Sequence, residues 1–385
     1  MEKSSPITTN SNPSPAAKPR FRIVFVILGL LIVGLILLLV YRYLMPEKEE
    51  VTDATMSLVT LETYKLSRGT SDSLDNIFAK DDRLLYFHEG ELIYQDLSGR
   101  TLWKKQFSEN ILLDKHQSTI MVIEKKRGNI YLLDEEGNLR ASILGRKSIA
   151  SGNLLADGSV LVFYSDNRSA QLFENDLYPA SIIEVENATI TSADYSLKNN
   201  LLAVLALREV RGDLESVLLL YTLEGLFLNE VSLSDLVLGA YLWDNGIVLV
   251  YRDGLQPMDL SLRRDGDRHP LNRVVSVRKQ DRSLFVTSGS SNPLEGSGQM
   301  QLIRYSLTGK SEEFSVKIRE NYDNIYSRSG LILAYYKNVL DIYNSSGELL
   351  LSETFNFPIK KANLLDEENL AVFDGERFMI MKIQY

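Results

Sequence analysis

Apolar and polar residues follow two rhythms along this chain. Between Ile23 and Tyr41 nineteen residues pass without a charge, from Ile-Val-Phe-Val-Ile-Leu to Leu-Leu-Leu-Val-Tyr, bracketed by Arg22 and Arg42. From Thr55 onward apolar side chains return at every second position, the period of a strand with one buried face. The stretch Asn129–Ser142 shows the second rhythm most plainly. Its sequence, Asn-Ile-Tyr-Leu-Leu-Asp-Glu-Glu-Gly-Asn-Leu-Arg-Ala-Ser, reads as a strand, a tight acidic turn closed by Gly137, and a returning strand.

The same figure recurs down the chain. Strands entering such a turn are expected at Glu91–Leu97, Asn129–Asp134, Ala170–Glu174, Val217–Leu223, Leu255–Leu260, Gln301–Leu307, Val339–Tyr343 and Arg377–Ile383. Set in register on Tyr94, Tyr131, Phe173, Tyr221, Met258, Tyr305, Tyr343 and Met381, they are spaced by 37, 42, 48, 37, 47, 38 and 38 residues. The turn glycine is expected at Gly99, Gly137, Gly225, Gly266, Gly309 and Gly347, with Asn175-Asp176 in its place in the unit of Phe173. Each unit has another apolar strand before these (Leu84–His88, Ile120–Glu124), one after the turn (Thr101–Phe107, Leu139–Leu144) and a weaker one at its start (Asp75–Ala79, Ile111–Lys115). Four short strands every forty-odd residues are the mark of propeller blades. Tandem β-sandwiches would be all-β too, but they do not predict so regular a recurrence.

Eight units result, and the last, ending with Phe378–Tyr385, lacks an outer strand. The unassigned strand Met56–Leu66 is the right length to supply it and so to remove two sheet edges. The expected fold is therefore all-β, an eight-bladed β-propeller over 55–385, with seven blades as the alternative.

Charge and composition change the picture mainly at the N-terminus. The formal charge is −9, but residues 1–45 carry Glu2 against Lys3, Lys18, Arg20, Arg22 and Arg42, a balance of +4, which leaves −13 for the remainder. So acidic a remainder argues against nucleic-acid binding, which needs clustered bases. Residues 1–22, rich in Ser, Asn, Pro and Thr, read as a disordered tail. Residues 23–44 read as one transmembrane α-helix, since nineteen helical residues span about 28 Å and a bilayer core is about 30 Å. Tyr-Arg-Tyr-Leu-Met-Pro follows, not the small residues of a cleavage site, so an uncleaved anchor is expected. The basic tail places the N-terminus in the cytoplasm and the bulk of the chain outside, with 45–54 as a short acidic stalk. The absence of cysteine excludes disulfides, thiolate metal sites, a Cys nucleophile and a lipoprotein anchor.

The first unit, Leu-Ile-Tyr-Gln-Asp-Leu-Ser-Gly-Arg-Thr-Leu-Trp-Lys-Lys-Gln-Phe (92–107), resembles the repeat of pyrroloquinoline-quinone-like (PQQ-like) β-propellers through Tyr94, Asp96, Gly99, Leu102 and Trp103. The other units keep the apolar–turn–apolar skeleton without the Trp; Trp243 lies elsewhere in its unit. The resemblance implies the fold. The quinoprotein dehydrogenases of that superfamily set adjacent cysteines against their cofactor, and this chain has none. The layout also resembles single-pass bacterial membrane proteins with an outer propeller, which imply no activity.

Chemistry is sparse. His88, His116 and His269 have no second His or carboxylate at metal-ligand spacing: His88 is expected to end a strand before a Glu89-Gly90 hairpin turn, and His269 to lie solvated in a charged loop. The acidic runs, such as Asp134-Glu135-Glu136 and Asp366-Glu367-Glu368, fall where turns need capping. Asp265-Gly266-Asp267 has a passing likeness to a calcium loop but lacks the downstream Glu. Lys125-Lys126-Arg127 and Arg263-Arg264 read as solvated turn tips. Two loops longer than a hairpin needs, Glu209–Ser216 and Ser288–Gln299, both join second and third strands and so share a face. From them Arg211, Asp213, Glu215, Asn292 and Glu295 are the candidate binding residues. Arg211-Gly212-Asp213 is also an integrin-type tripeptide, but three residues recur by chance. The expectation is a non-catalytic, membrane-anchored binding or scaffolding module with a protein or envelope partner and no cofactor. The alternative is a polysaccharide-active or quinone-linked propeller enzyme.

Overall fold

The computed structural model describes residues 56–385 apart from 66–76, 81–82, 97–98, 109–110, 146 and 290–299. The strands form eight four-stranded antiparallel sheets. From the inner strand outward, the first blade holds β2 (Ile77–Lys80), β3 (Arg83–His88), β4 (Glu91–Asp96) and β5 (Thr101–Gln106). The second holds β6 (Ile111–His116), β7 (Thr119–Glu124), β8 (Asn129–Leu133) and β9 (Leu139–Ile143); the third β10 (Ile149–Leu154), β11 (Val160–Tyr164), β12 (Ser169–Phe173) and β13 (Pro179–Glu184). The fourth is the longest, with β14 (Ala188–Ser196), β15 (Leu201–Val210), β16 (Asp213–Thr222) and β17 (Phe227–Leu233). The fifth holds β18 (Val237–Trp243), β19 (Gly246–Tyr251), β20 (Gly254–Asp259) and the two-residue β21 (His269–Pro270); the sixth β22 (Arg273–Gln280), β23 (Ser283–Gly289), β24 (Met300–Ser306) and β25 (Ser311–Ile318). The seventh holds β26 (Asn324–Arg328), β27 (Leu331–Tyr336), β28 (Val339–Asn344) and β29 (Leu349–Thr354).

The eighth blade closes the ring. Its β30 (Lys361–Leu364), β31 (Asn369–Phe373) and β32 (Arg377–Gln384) come from the C-terminal end, and its outer strand is β1 (Ser57–Lys65), in register from Ser57 opposite Gln384 to Lys65 opposite Arg377. The closing strand expected at Met56–Leu66 is thus in place, and the count is eight. The core is divided in the same way. Eight apolar clusters each join neighbouring blades, the last uniting Leu84 and Tyr86 of the first blade with Leu365, Ala371 and Phe373 of the eighth. The second and third strands are apolar on both faces because each packs against two blades. Ile120–Glu124 is buried throughout, as is Gly246–Tyr251.

The turn into each outer strand repeats with small variations. At Asp134 the carboxylate accepts from Asn138 N at 2.6 Å while Gly137 N donates to Asp134 O at 3.0 Å, and Gly137 sits at φ 81. A register shift follows at Leu132/Leu133. This is a type I turn closed by a left-handed residue with a bulge, a position that suits glycine. Gly99, Gly225 and Gly347 take the same place at φ 82 to 85. Three expectations need correction. In the fifth blade the turn is closed by Leu262 (φ 62), four residues before Gly266, and in the sixth by Lys310 (φ 51), not Gly309. In the third blade Leu177 (φ 66) takes the place, two residues beyond Asn175. Leu177 and Leu262 are 4% and 5% exposed, so burial of their side chains offsets the backbone cost.

Trp103 shows what the turn glycine is for. Its Nε1–H donates to Glu135 O at 2.7 Å in the next blade, and its ring lies over Gly137, where a Cβ would come within 2.8 Å. Phe314 lies likewise over Gly347, where a Cβ would come within 2.6 Å, and Ser181 Oγ donates to Leu223 O beside Gly225.

Candidate interaction face

Antiparallel order puts the connections alternately on two faces. One face carries the turns between first and second strands and between third and fourth. The other carries the hairpins between second and third strands together with the crossings from blade to blade.

Buried polar side chains pin those crossings. Glu124, 3% exposed, accepts from Ser108 N at 2.7 Å, from Asn129 Nδ2 at 2.7 Å and from the Tyr131 hydroxyl at 3.2 Å, and Asn129 Oδ1 accepts from Gly145 N at 3.3 Å. Ser108 and Gly145 belong to the two crossings flanking the second blade. Burial pushes the Glu124 carboxyl up, but these donors outweigh it and hold it below its ordinary value. In the third blade burial opposes ionisation of Asp166, yet Lys147, Arg168 N and Ser169 hold it at about 2.

The inner strands are stitched to one another around the central channel. Asp114 accepts from Leu154 N at 2.8 Å and Asp194 from Leu242 N at 2.7 Å. Gln280 Nε2 donates to Ile325 O at 2.8 Å, and Arg328 reaches the carbonyl of Leu365. Lys279 of the sixth blade also reaches past the fifth to pair with Asp194 of the fourth, with side chains 23% and 15% exposed. Tyr195 and Tyr241 line the same region; burial first, then nearby carboxylates including Asp194, raise both hydroxyls. Burial also raises Asp114. Asp114, Asp194, Lys279 and Arg328 are thus engaged in joining blades.

The turn face carries two grooves, of about 450 Å³ and 420 Å³, that share Asp157 and Asn175. Two of their carboxylates are engaged as well: Asp157 accepts from Ser159 N and Oγ at 3.0 and 2.6 Å, and Glu224 takes Asn200 Nδ2 at 2.7 Å. Among the described residues no three His, Cys, Asp or Glu side chains gather as a metal would require. The histidines lie in three blades. His88 ends β3 before Glu89 (φ 48) and Gly90 (φ 82), the expected turn. His269 is not solvated as expected: its Nε2 lies 3.3 Å from Glu312, and its ring stands 5.6 Å from that of Tyr305. At the calcium-like tripeptide, Asp265 pairs with Lys310.

The hairpin face holds the first of the two segments singled out in the sequence. Glu209–Ser216, expected to be a loop, is instead the end of a long hairpin. Val210 pairs with Asp213, Glu209 with Leu214 and Arg208 with Glu215, across a two-residue turn of Arg211 (φ 56) and Gly212 (φ 91). Two successive left-handed residues make this a type I′ turn, which matches strand twist and lets both strands run on. The neighbours stop short: β14 begins opposite Arg208 and β17 ends opposite Ser216. Residues 209–215 therefore project as an arm. Arg211 and Asp213 are exposed at its tip. Glu215 is turned inward, where the Ser232 hydroxyl and the Arg208 guanidinium, 3.0 Å away, hold its carboxyl low. Asn292 and Glu295 lie outside the described residues, so only three of the five candidates are placed.

Sequence reasoning missed the apolar residues beside the arm. Leu214 is 63% exposed, Leu236 57% and Leu238 54%; at the start of the sixth blade Val275 is 45% exposed. Val237 N donates to Ser216 Oγ at 3.0 Å, which sets Leu236 and Leu238 beside the base of the arm. Leu238 and Val275 are extra residues at bulges, the register skipping from Val237 to Gly239 and from Val274 to Ser276. A bulge re-aims a side chain, and here it turns apolar ones to solvent. A broken alternation at these two positions was the only signal in the sequence.

An eight-bladed β-propeller with structural polar bonds around its channel and an arm on one face is the class defined by these observations. Comparison with protein families matches residues 55–250 to a family of unknown function, DUF5711, and the chain belongs to it. No curated protein matches in sequence. Among solved structures, BamB from Moraxella catarrhalis is similar over 85% of this chain and 100% of its own, with 10% identity and a TM-score of 0.55. The computationally designed Ika8 protein is similar over 83% of this chain and 98% of its own, with 11% identity and a TM-score of 0.60. The Neurospora crassa Pan2 WD40 domain reaches 0.48 over 71% of this chain and 88% of its own, at 10% identity. Identities this low speak to the fold alone.

Proposed function

We propose that this chain is a membrane-anchored, extracytoplasmic propeller that binds a protein or another envelope component and carries out no turnover. The observation that carries the reading is the contrast between its channel and its hairpin face. Asp114, Asp194 and Lys279 are engaged in joining blades, whereas Leu214, Leu236 and Leu238 are turned to water on or beside a projecting arm. Exposed apolar side chains grouped on one face favour macromolecular contact over small-molecule chemistry. The uncharged run at 23–41, with bases before it, supports the anchor and the outward orientation. Among the described residues no helix is long and apolar enough to cross a membrane, and 23–44 lies outside them.

Crosslinking in native membranes, followed by mass spectrometry, tests the reading. A specific protein crosslinked to the hairpin face is the expected result. Recovery of no specific partner, or purification of the protein with a bound chromophore or metal, would overturn it in favour of the enzyme alternative.

A further inference from the structure

The arm has an open backbone edge. In a two-residue hairpin the closing pair, Val210 and Asp213, bond to each other through both peptide groups, and along an antiparallel ladder such pairs alternate with pairs that do not. Glu209 and Leu214 are therefore a non-bonded pair, so the N–H and C=O of Leu214 point away from β15. Two residues further on, the peptide groups of Ser216 point the same way and are covered by Leu233 of β17. Leu214 lies beyond the end of β17.

Side-chain parity determines what would fit there. Leu218 and Leu220 pack between the fourth and fifth blades, so Ser216 and Leu214, of the same parity, face the fifth blade and its exposed Leu236 and Leu238. Asp213 and Glu215 face the opposite side. A strand added along this edge places the side chain opposite Leu214 on the apolar side and its two neighbours against Asp213 and Glu215. A second copy of this chain would set Asp213 against Glu215 twice, and like charges directly opposite are unfavourable.

We infer that the edge at Asp213–Glu215 accepts an extended segment of a second protein, with an apolar residue opposite Leu214 and a basic one against the exposed Asp213, Glu215 being paired with Arg208. This rests on the protein-binding reading above and names its chemistry: strand addition, with main-chain bonds for affinity and alternate side chains for specificity.

The test uses two variants of the full chain. Leu214→Pro removes the outward N–H, at an edge where proline is tolerated, and trims the apolar side chain, and Leu214→Lys keeps the N–H, removes the apolar contact and adds repulsion. Thermal melts first establish that both fold. A labelled ten-residue peptide alternating Lys and Val serves as the probe in fluorescence anisotropy, beside a Glu–Val counterpart. The expected result is binding of the Lys–Val peptide to the native chain, weakened at least tenfold by either variant, with no binding of the Glu–Val peptide. The same variants then lose the partner crosslinked in native membranes. If they keep that partner and the peptide, the edge is refuted while protein binding stands; if the native chain captures neither, both readings fail. Concentration-dependent dimerisation abolished by Leu214→Pro would overturn the inference in favour of a second copy.

Discussion

Trp103 and Gly137 form a joint between the first two blades whose energetics can be worked from geometry. Gly137→Ala places a Cβ 2.8 Å from Trp103 Cδ2 at a residue with φ 81. The left-handed backbone alone costs an alanine about 1–2 kcal/mol, and forcing a carbon against the ring adds about 1–3 kcal/mol. The single substitution should therefore cost about 2–5 kcal/mol in total. Trp103→Ala removes the bond to Glu135 O at 2.7 Å and the packing on Tyr94, whose ring centroid lies 5.4 Å away. Because the indole is half-buried, its loss should cost about 2–3 kcal/mol, below the 3–5 of a fully buried aromatic. In that background the alanine at 137 meets no ring, and only the backbone cost of about 1–2 kcal/mol remains. The double variant should then be more stable than the sum of the singles by about 1–3 kcal/mol. Urea denaturation of the four proteins followed by far-UV circular dichroism measures it, with fluorescence of the remaining Trp243 as a second probe. Additivity within about 0.5 kcal/mol would show that ring and turn do not bear on each other.

Three further outcomes are expected. Lys279→Met leaves Asp194 without its cation and should cost about 1–3 kcal/mol, less than a fully buried pair because both groups keep some exposure; Asp194→Asn with Lys279→Met, which keeps an acceptor for Leu242 N, should recover part of it in the same denaturation assay. Asp166, held at about 2 against an ordinary 3.8, contributes stability that is complete above pH 4 and lost as pH falls through the window between those values. Asp166→Asn should therefore be destabilised near neutral pH and flatten the acid limb of stability against pH, whereas an unchanged limb would place the titration elsewhere. Deleting 56–65 uncovers the edge of β32, so amides of 377–384 should lose hydrogen-exchange protection and the protein should self-associate in size-exclusion chromatography.

Much of the ring was legible because period-two alternation and acidic turns are local and repeated eight times. Even the closing strand could be read, since an outer strand missing at one end matched a spare one at the other. Exceptions arose where tertiary packing overrode local chemistry. Gly266 and Gly309 look like turn glycines, but burial of Leu262 and the position of Lys310 shift the turn. Glu209–Ser216 looks like a loop because its residues are polar; its strand pairing depends on consecutive left-handed residues at Arg211-Gly212, a weaker signal than Asn-Gly. Leu238 and Val275 read as ordinary strand residues, and only a bulge turns them outward.

The pairing of Ser57 with Gln384 also sets a timetable. The two residues are roughly 330 positions apart, and at about 5–20 residues per second the first strand waits on the order of 15–65 s for its partner to be synthesised. Through that interval seven blades can assemble while β1 remains unmated. A chain halted before residue 377 can never complete the circle, so closure of the ring reports that synthesis has passed that point.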